Sequence, residues 1–444
     1  MLLTTPEAIR TLQRKLYVKA KQQPAYRFYA LYDKLYRADI LSHAWRLVKA
    51  NQGSPGIDGI SFEAIENGIG VEGYLLILSR ELQDKTYRAS PVKRVLIPKA
   101  DGSTRPLGIP TIRDRVAQMA LKRVMEPIFE ADFCEHSYGF RPKKSAHDAI
   151  DTIAETMRQG QTHIIDADLS KYFDSIPHAK LMATVAERVV DGAVLALVRQ
   201  WLKAPVMGEN ERGKTACVGG GKGNRRGTPQ GGVISPLLSN LYLHLMDRIW
   251  QRHELACKLQ AKLVRYADDF VVLCRKDVAT PLDIVRQILE RLELQLNESK
   301  TRIVDANKEG FHFLGFELKM NVGTKGGRYP HVQPAKQAVE KVKTRIKAIT
   351  ARNRTGIPIN DVVRDINRTL RGWSGYFHYR NSTAVFQKVK RHAEDRLRIH
   401  LRKRHKVTDW KTAMIRFPRR VLYERYGLYK MSTVAGWKMA HAAT

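Results

Sequence analysis

Three carboxylates stand out for where they fall. Tyr266-Ala267-Asp268-Asp269 lies between the apolar runs LVRY and FVVLC, so two adjacent acids sit where one strand ends and the next begins. Side-by-side carboxylates repel each other unless a cation lies between them, so this placement asks for a metal. Asp-Asp alone reads more readily as an ordinary exposed turn, and a second acidic strand end is needed to tip the reading. A second acidic strand end, Asp166-Ala167-Asp168, follows the run THII. Strand alternation puts Asp166 and Asp168 on one face. If the two strands are neighbours, Asp168, Asp268 and Asp269 can surround two divalent ions about 3.5 to 4 Å apart, the arrangement for in-line phosphoryl transfer. An all-oxygen ligand set favours Mg²⁺ over zinc.

The composition says what such a site works on. The 444 residues carry 77 Lys plus Arg against 44 Asp plus Glu, a net charge of +33. A compact chain with that excess repels itself until a polyanion neutralises it, which points to nucleic acid. Residues 335–444 hold 27 Lys plus Arg against 7 Asp plus Glu. A quarter of the chain therefore carries well over half of the excess. Cys134, Cys217, Cys257 and Cys274 are scattered, without the paired spacing of a zinc site or a disulfide scaffold, and they suit a reducing compartment. No apolar run is long enough to span a membrane and the first residues do not read as an export signal, so a soluble, cytoplasmic protein with no membrane partner is expected.

The elements that must position the aspartates follow from hydrophobic period. Residues 1–50 read as basic amphipathic helix, NQGSPGIDG (51–59) as a loop, and 62–84 as helix again. VKRVLIP and RPLGIP flank an Asp-Gly turn and form a predicted hairpin over 92–110. Helices are expected over 113–130 and 145–158, strands near 163, 263, 271, 302 and 313, and a helix opened by a Thr280 cap with Pro281 in its first turn and running through DIVRQILERLELQL (283–296). The sum is a mixed α+β fold. Helices over 335–352, 359–380 and 384–404 predict a three-helix unit followed by a small basic tail.

Taken together, these segments resemble the reverse transcriptases encoded within group II introns, which also act as maturases. DADLSKYFDSIP resembles the first catalytic-aspartate motif, GTPQGGVISPLLSNLYLHLMD the Pro-Gln-Gly-Gly block, and LVRYADDFVVL the second catalytic motif. LNESKT and FHFLGFEL resemble the two motifs that follow, and LRGWSGYFHYR the maturase-specific thumb region. The resemblance covers about residues 50 to 430. It implies a right-hand polymerase: a basic N-terminal extension and the start of the fingers over 1–90, fingers over 91–162, palm over 163–333 with a finger-like insertion around 208–227. A helical thumb over 334–404 and a basic C-terminal nucleic-acid-binding domain over 405–444 complete it.

It also implies roles. Asp168, Asp268 and Asp269 would bind two Mg²⁺ ions, with the Leu169 carbonyl as a further ligand. Phe173 would be the gate against a ribose 2′-hydroxyl, or Tyr172 if the alignment is one residue out. Gln230 would contact the incoming deoxynucleoside triphosphate, Lys99 and Arg105 would hold its triphosphate, and Lys300 would protonate the leaving pyrophosphate. The implied activity is RNA-directed DNA polymerase, acting on an RNA template with a DNA primer or target DNA, and assisting the splicing of its own intron RNA during retromobility. The alternatives are a domesticated relative in phage defence or DNA repair, and a splicing-only RNA-binding maturase. No Cys/His pairs follow residue 430, so the family's zinc-dependent endonuclease is not expected.

Three further features need a reading of their own. Lys388, Lys390, Arg391, Arg402, Lys403 and Arg404 are denser than an ordinary solvated helix face and fit phosphate contacts. Gly208 to Thr215 matches the phosphate loop of nucleoside triphosphatases, but it follows a helical stretch and GGGKGN cannot continue as helix. It reads instead, with 216–227, as a flexible basic loop near the template. Trp373, Tyr376 and Phe377 at helical spacing read as core more than as base-stacking residues.

Overall fold

The computed structural model describes residues 4–98, 102, 104–209 and 215–434. The strands in chain order are β1 (Val92–Pro98), β2 (Thr104–Ile109), β3 (His163–Ala167), β4 (Val206–Glu209), β5 (Thr215–Gly219) and β6 (Ala261–Tyr266). They continue with β7 (Asp269–Cys274), β8 (Arg302–Asp305), β9 (Phe311–Phe313), β10 (Phe316–Val322) and β11 (Arg328–Pro334). Three sheets result, in the orders β2-β1-β4-β5, β6-β7-β3-β8 and β11-β10-β9. The chain packs as two units, one of residues 1–145, 167–272 and 279–301, the other of 146–166, 273–278 and 302–444.

The first unit is built on two helices buried along most of their length, Ile112–Glu130 and Ser235–Arg252. Thr111 caps the first by accepting from the Asp114 N–H at 3.1 Å. Both carry polar residues inward, and each has a task. The Gln118 side-chain oxygen accepts from the Val233 N–H at 2.8 Å, pinning the Pro-Gln-Gly-Gly turn. Gly231 lies there at φ +113°, with a side-chain carbon's place only 2.2 Å from the Gly108 carbonyl oxygen, so only glycine fits. The predicted hairpin over 92–110 is present as β1 and β2, antiparallel, with Arg105 opposite Ile97.

Three expectations for this unit need correction. Residues 62–84 form two helices, Phe62–Asn67 and Gly70–Gln83, because the chain turns at Gly68–Ile69 and Gly70 opens the second helix at φ +78°. The stretch around Gly208–Gly227 is not simply a flexible loop. β4 pairs in parallel with β1 and antiparallel with β5, extending the hairpin sheet. Strand, not helix, follows Thr215, so the phosphate-loop match fails on context, with residues 210–214 outside the described ones. Thr280 is not a cap, since the helix runs from Ala279 to Arg291. It stops early because Glu293 turns left-handed at φ +54° and the next residues pair as strand: the Ser170 N–H donates to the Gln295 carbonyl at 2.9 Å.

In the second unit β10 pairs with β9 and β11, Leu318 facing Phe311 on one side and Val332 on the other. β10 and β11 extend the strand signal, which the sequence placed only near 313. The three expected helices are Lys336–Ile349, Ile359–Phe377 and Thr383–Arg404, and Val342, Ile346, Val362, Ile366, Leu370, Val389 and Leu397 form their shared core. Trp373 and Phe377 pack against that core as expected, with the Trp373 ring 4.9 Å from Phe386. The expected boundary at 404 does not separate two cores. Ala413, Phe417, Leu422, Leu428 and Met431 belong to the same buried cluster as the three helices. Among the described residues no helix is long and apolar enough to cross a membrane.

Candidate active site

Asp168 leaves the end of β3 and is held from the Asn297 side. The Asn297 N–H donates to the Asp168 carbonyl at 2.8 Å and its side-chain amide donates to Asp168 Oδ2 at 3.1 Å. Leu169 faces Leu296 in an isolated antiparallel bridge, whose bonds engage the carbonyls of Asp168 and Gln295 and not that of Leu169. Lys300 Nζ lies 3.4 Å from Asp168 Oδ2 and is largely exposed. The LNESK segment therefore brings an amide and an ammonium to one carboxylate, and the early end of the preceding helix makes this possible.

Asp268 and Asp269 sit at the turn joining β6 to β7. Burial pushes the Asp268 carboxyl above its ordinary value; the charge of Asp168 adds to the rise, while Arg105 and Arg265 oppose it. Asp168 and Asp268 are thus close enough to repel, and Arg105 reaches their field from β2. Asp269 is exposed at the start of β7. Among the described residues no three His, Cys, Asp or Glu side chains stand together as a ready-made metal cluster. Two mutually repelling carboxylates fit a divalent ion that takes its remaining ligands from substrate phosphates and water, as Mg²⁺ does.

The residues expected at the nucleotide are partly joined to one another. Arg105 Nε donates to Gln230 Oε1 at 2.9 Å, and the Gly108 N–H donates to the Gln230 carbonyl at 2.6 Å. Gln230 also lines a cavity of about 240 Å³ with Arg94, Asp174 and Arg226. Lys99 lies outside the described residues. Tyr172 and Phe173 differ in kind. The Tyr172 hydroxyl donates to the Ser239 carbonyl at 2.6 Å and the residue is 3% exposed, whereas Phe173 is 9% exposed. That favours Phe173 over Tyr172 as a residue able to meet substrate.

The basic set on the helix Thr383–Arg404 is split by the structure. Lys388, Arg391 and Lys403 are exposed, and Arg402 is half-buried. Arg404 is not a free phosphate contact: its guanidinium donates to the carbonyls of Thr355 and Ile357, both at 2.7 Å. Lys390 lies 5.8 Å from the centre of the Tyr423 ring, an arrangement of cation over aromatic face.

Sequence reasoning passed over Asn297, Arg265, Asn240 and Asp247. The available signal was an arginine inside the otherwise apolar run LVRY, where a strand buried on both faces has no reason to carry charge.

Residues 97–318 match the reverse transcriptase (RNA-dependent DNA polymerase) family, and residues 339–417 match the group II intron maturase-specific domain. The chain is 35% identical over 348 residues to Protein YkfC of Escherichia coli (strain K12), covering 70% of this chain and 88% of that protein. It is 29% identical over 362 residues to the group II intron-encoded protein LtrA of Lactococcus lactis subsp. cremoris, covering 66% of this chain and 57% of LtrA. Among solved structures it is similar to telomerase from Candida albicans in complex with a telomeric RNA fragment, with a TM-score of 0.42 and 15% identity over 78% of this chain and 66% of that one.

Proposed function

From the premise that the chain belongs to the group II intron reverse transcriptase and maturase family, we propose that Asp168 and Asp268 are the centre of an RNA-directed DNA polymerase that also assists the splicing of its intron RNA. One observation carries the placement of the chemistry: the Asp168 carboxylate has the Lys300 ammonium at 3.4 Å and the Asn297 amide at 3.1 Å, so an acid and a cation stand together where the family's reaction would occur. A deoxynucleoside triphosphate brings negative charge to that point, and a primer 3′-oxygen attacks its α-phosphorus as pyrophosphate leaves.

Each side chain has a part in that transfer. Arg105 and Gln230, already bonded, would grip the triphosphate and the nucleotide, and Lys99 is the second cation that the family resemblance assigns to the triphosphate. Phe173 would fill the space a ribose 2′-hydroxyl needs. Lys300 Nζ, 3.4 Å from Asp168 Oδ2, would give a proton to the leaving pyrophosphate oxygen. Two Mg²⁺ ions held by Asp168, Asp268, Asp269 and the Leu169 carbonyl would, when bound, supply Lewis-acid activation of the hydroxyl and charge neutralisation of the phosphates. Asn297 would keep the Asp168 carboxylate turned toward the site.

The maturase-specific domain favours the intron reading over phage defence or DNA repair, and the intact aspartates favour a polymerase over a splicing-only factor. Intron RNA, an RNA template, a DNA primer or target DNA, and deoxynucleotides are the partners this implies. The test is primer extension on an RNA template with Mg²⁺, run beside splicing of a group II intron with the same preparation. Extension by the wild type that is lost in Asp268→Ala supports the polymerase; no extension by the folded wild type refutes it.

A further inference from the structure

Arg265 has no exposed surface at all, although it lies near the end of β6, after the buried Leu263 and Val264. All three nitrogens of its guanidinium are bonded. Nε donates to both carboxylate oxygens of Asp247, at 3.1 and 3.2 Å, and Nη2 donates to Asp247 Oδ2 at 2.5 Å. Nη1 donates to Asn240 Oδ1 at 3.0 Å and to the Ala267 carbonyl at 2.9 Å. Asn240 and Asp247 are seven residues apart on the helix Ser235–Arg252, two turns along one face, so a single helix holds both arms of the fork.

The Ala267 contact is the one with a consequence for catalysis. Ala267 adopts φ +58°, a left-handed conformation that a residue with a side chain does not choose alone. Its other side is closed by Gly139, where a side-chain carbon would stand 2.3 Å from the Ala267 nitrogen. Gly139 is itself tied to the same network, since the Asn240 amide donates to the Gly139 carbonyl at 2.6 Å. Ala267 is thus gripped between the guanidinium and the Gly139 backbone, and the next residue is Asp268. A buried ion pair is seldom better for stability than apolar residues of the same volume, so stability alone does not account for this one.

We propose that Arg265, oriented by Asp247 and Asn240, is a positioning residue for polymerisation: it holds the left-handed turn at Ala267 and so aims the Asp268 carboxylate. This rests on the polymerase reading above and adds a residue to it.

The experiment separates positioning from folding by removing the whole ion pair. Arg265→Met with Asp247→Leu keeps volume and leaves no unpaired buried charge. The expected result is a melting temperature at or near that of wild type, an unchanged KM for the nucleotide, and a kcat lowered at least tenfold, the scale of a lost orienting contact. A second readout does not depend on turnover: Mn²⁺ binding, followed by electron paramagnetic resonance, should weaken in the double variant and vanish in Asp268→Ala. Arg265→Lys supplies a variant that keeps a charge beside Asp247 but cannot fork to Ala267 as well, and it should lose kcat in the same way. A folded double variant or Arg265→Lys with kcat within about threefold of wild type overturns the proposal. So does failure of both variants to fold, which would make the network a folding element only. A folded wild type without primer extension would refute the polymerase reading instead, a result distinguishable from either.

Discussion

Arg105 and Gln230 stand 125 positions apart in the chain and are joined by a single hydrogen bond of 2.9 Å from Nε to Oε1. One comes from the hairpin strand β2, the other from the Pro-Gln-Gly-Gly turn, and the Gly108 N–H to Gln230 carbonyl bond makes the pairing of segments two-fold. The two expected nucleotide contacts are therefore one structural unit. Replacing either by alanine should raise the KM for deoxynucleotides about tenfold or more, with the double variant little worse than the worse single one. Strict additivity of the two effects in steady-state kinetics would show that the bond is incidental to nucleotide binding.

Asp168→Ala and Asp268→Ala should each reduce primer extension below about 1% of wild type, since ligands of the transition-state charge contribute several kcal/mol. RNA affinity should hardly change, because these carboxylates make no attractive contact with a polyanion. Asn297→Ala removes the 3.1 Å amide bond that turns Asp168, and a smaller loss, about ten- to a hundredfold, is expected. Residual extension by Asp268→Ala well above that level would remove the aspartate from the reaction.

The nucleotide gate can be tested against its neighbour. Phe173→Val should admit ribonucleotides, lowering discrimination about tenfold, or roughly 1.4 kcal/mol. Tyr172→Val should instead act on the fold, because it empties an enclosed site and abandons the bond to the Ser239 carbonyl. Melting curves and competition between the two nucleotide classes give both answers. Loss of discrimination in Tyr172→Val with normal stability would exchange the two assignments.

What could be read in advance divides along physical lines. The strands bearing Asp168, Asp268 and Asp269 were legible because an apolar run ending in acids is visible residue by residue. The three helices after 335 were legible because Val362, Ile366 and Leu370 recur at helical spacing. The pairing of β4 with β1 was not, because Val92 and Val206 meet only through long-range hydrogen bonds that no local period reveals. Nor was the early stop of the helix Ala279–Arg291, where a continuing apolar pattern at Leu294 and Leu296 serves the Asp168 loop instead. A tail read as a separate basic domain proved to share its core through Phe417 and Leu422, since charge density along a chain says nothing of where its few apolar residues go.

Acid should loosen the helical C-terminal part. His400 is fully buried, and burial, then Arg404, Arg354 and Arg396 around it, hold its pKa below the ordinary value of 6.5; burial lowers His392 and His405 too. The unfolded chain therefore binds more protons than the folded one as pH falls below about 6.5, and stability is lost in that direction. Above that pH these histidines are neutral in both states and contribute no slope. Thermal unfolding followed from pH 8 to pH 5 should show a melting temperature that is level and then declines, and His400→Phe should flatten the decline. A His400→Phe variant with the unaltered pH dependence would acquit this residue.

RNA binding and DNA synthesis should be separable, and the structure refines which charges to remove. Arg404 belongs to the fold: losing its bonds to the Thr355 and Ile357 carbonyls should cost about 1–3 kcal/mol of stability, so Arg404→Gln confuses binding with unfolding. Lys388, Arg391 and Lys403 are exposed and can be neutralised together without touching the core. If they contact phosphates, each contributes about 0.7–0.9 to the slope of log affinity against log salt, so the triple glutamine variant should bind structured intron RNA more weakly and with a slope shallower by about two. Splicing of the intron should fall with it. Asp268→Ala combined with Asp269→Ala should do the reverse, leaving splicing near wild type, because a self-splicing RNA brings its own catalytic metals and needs only the folding help of the basic surface. A folded double-aspartate variant that fails to splice, beside a triple variant that splices normally, would overturn the division of labour between the two regions.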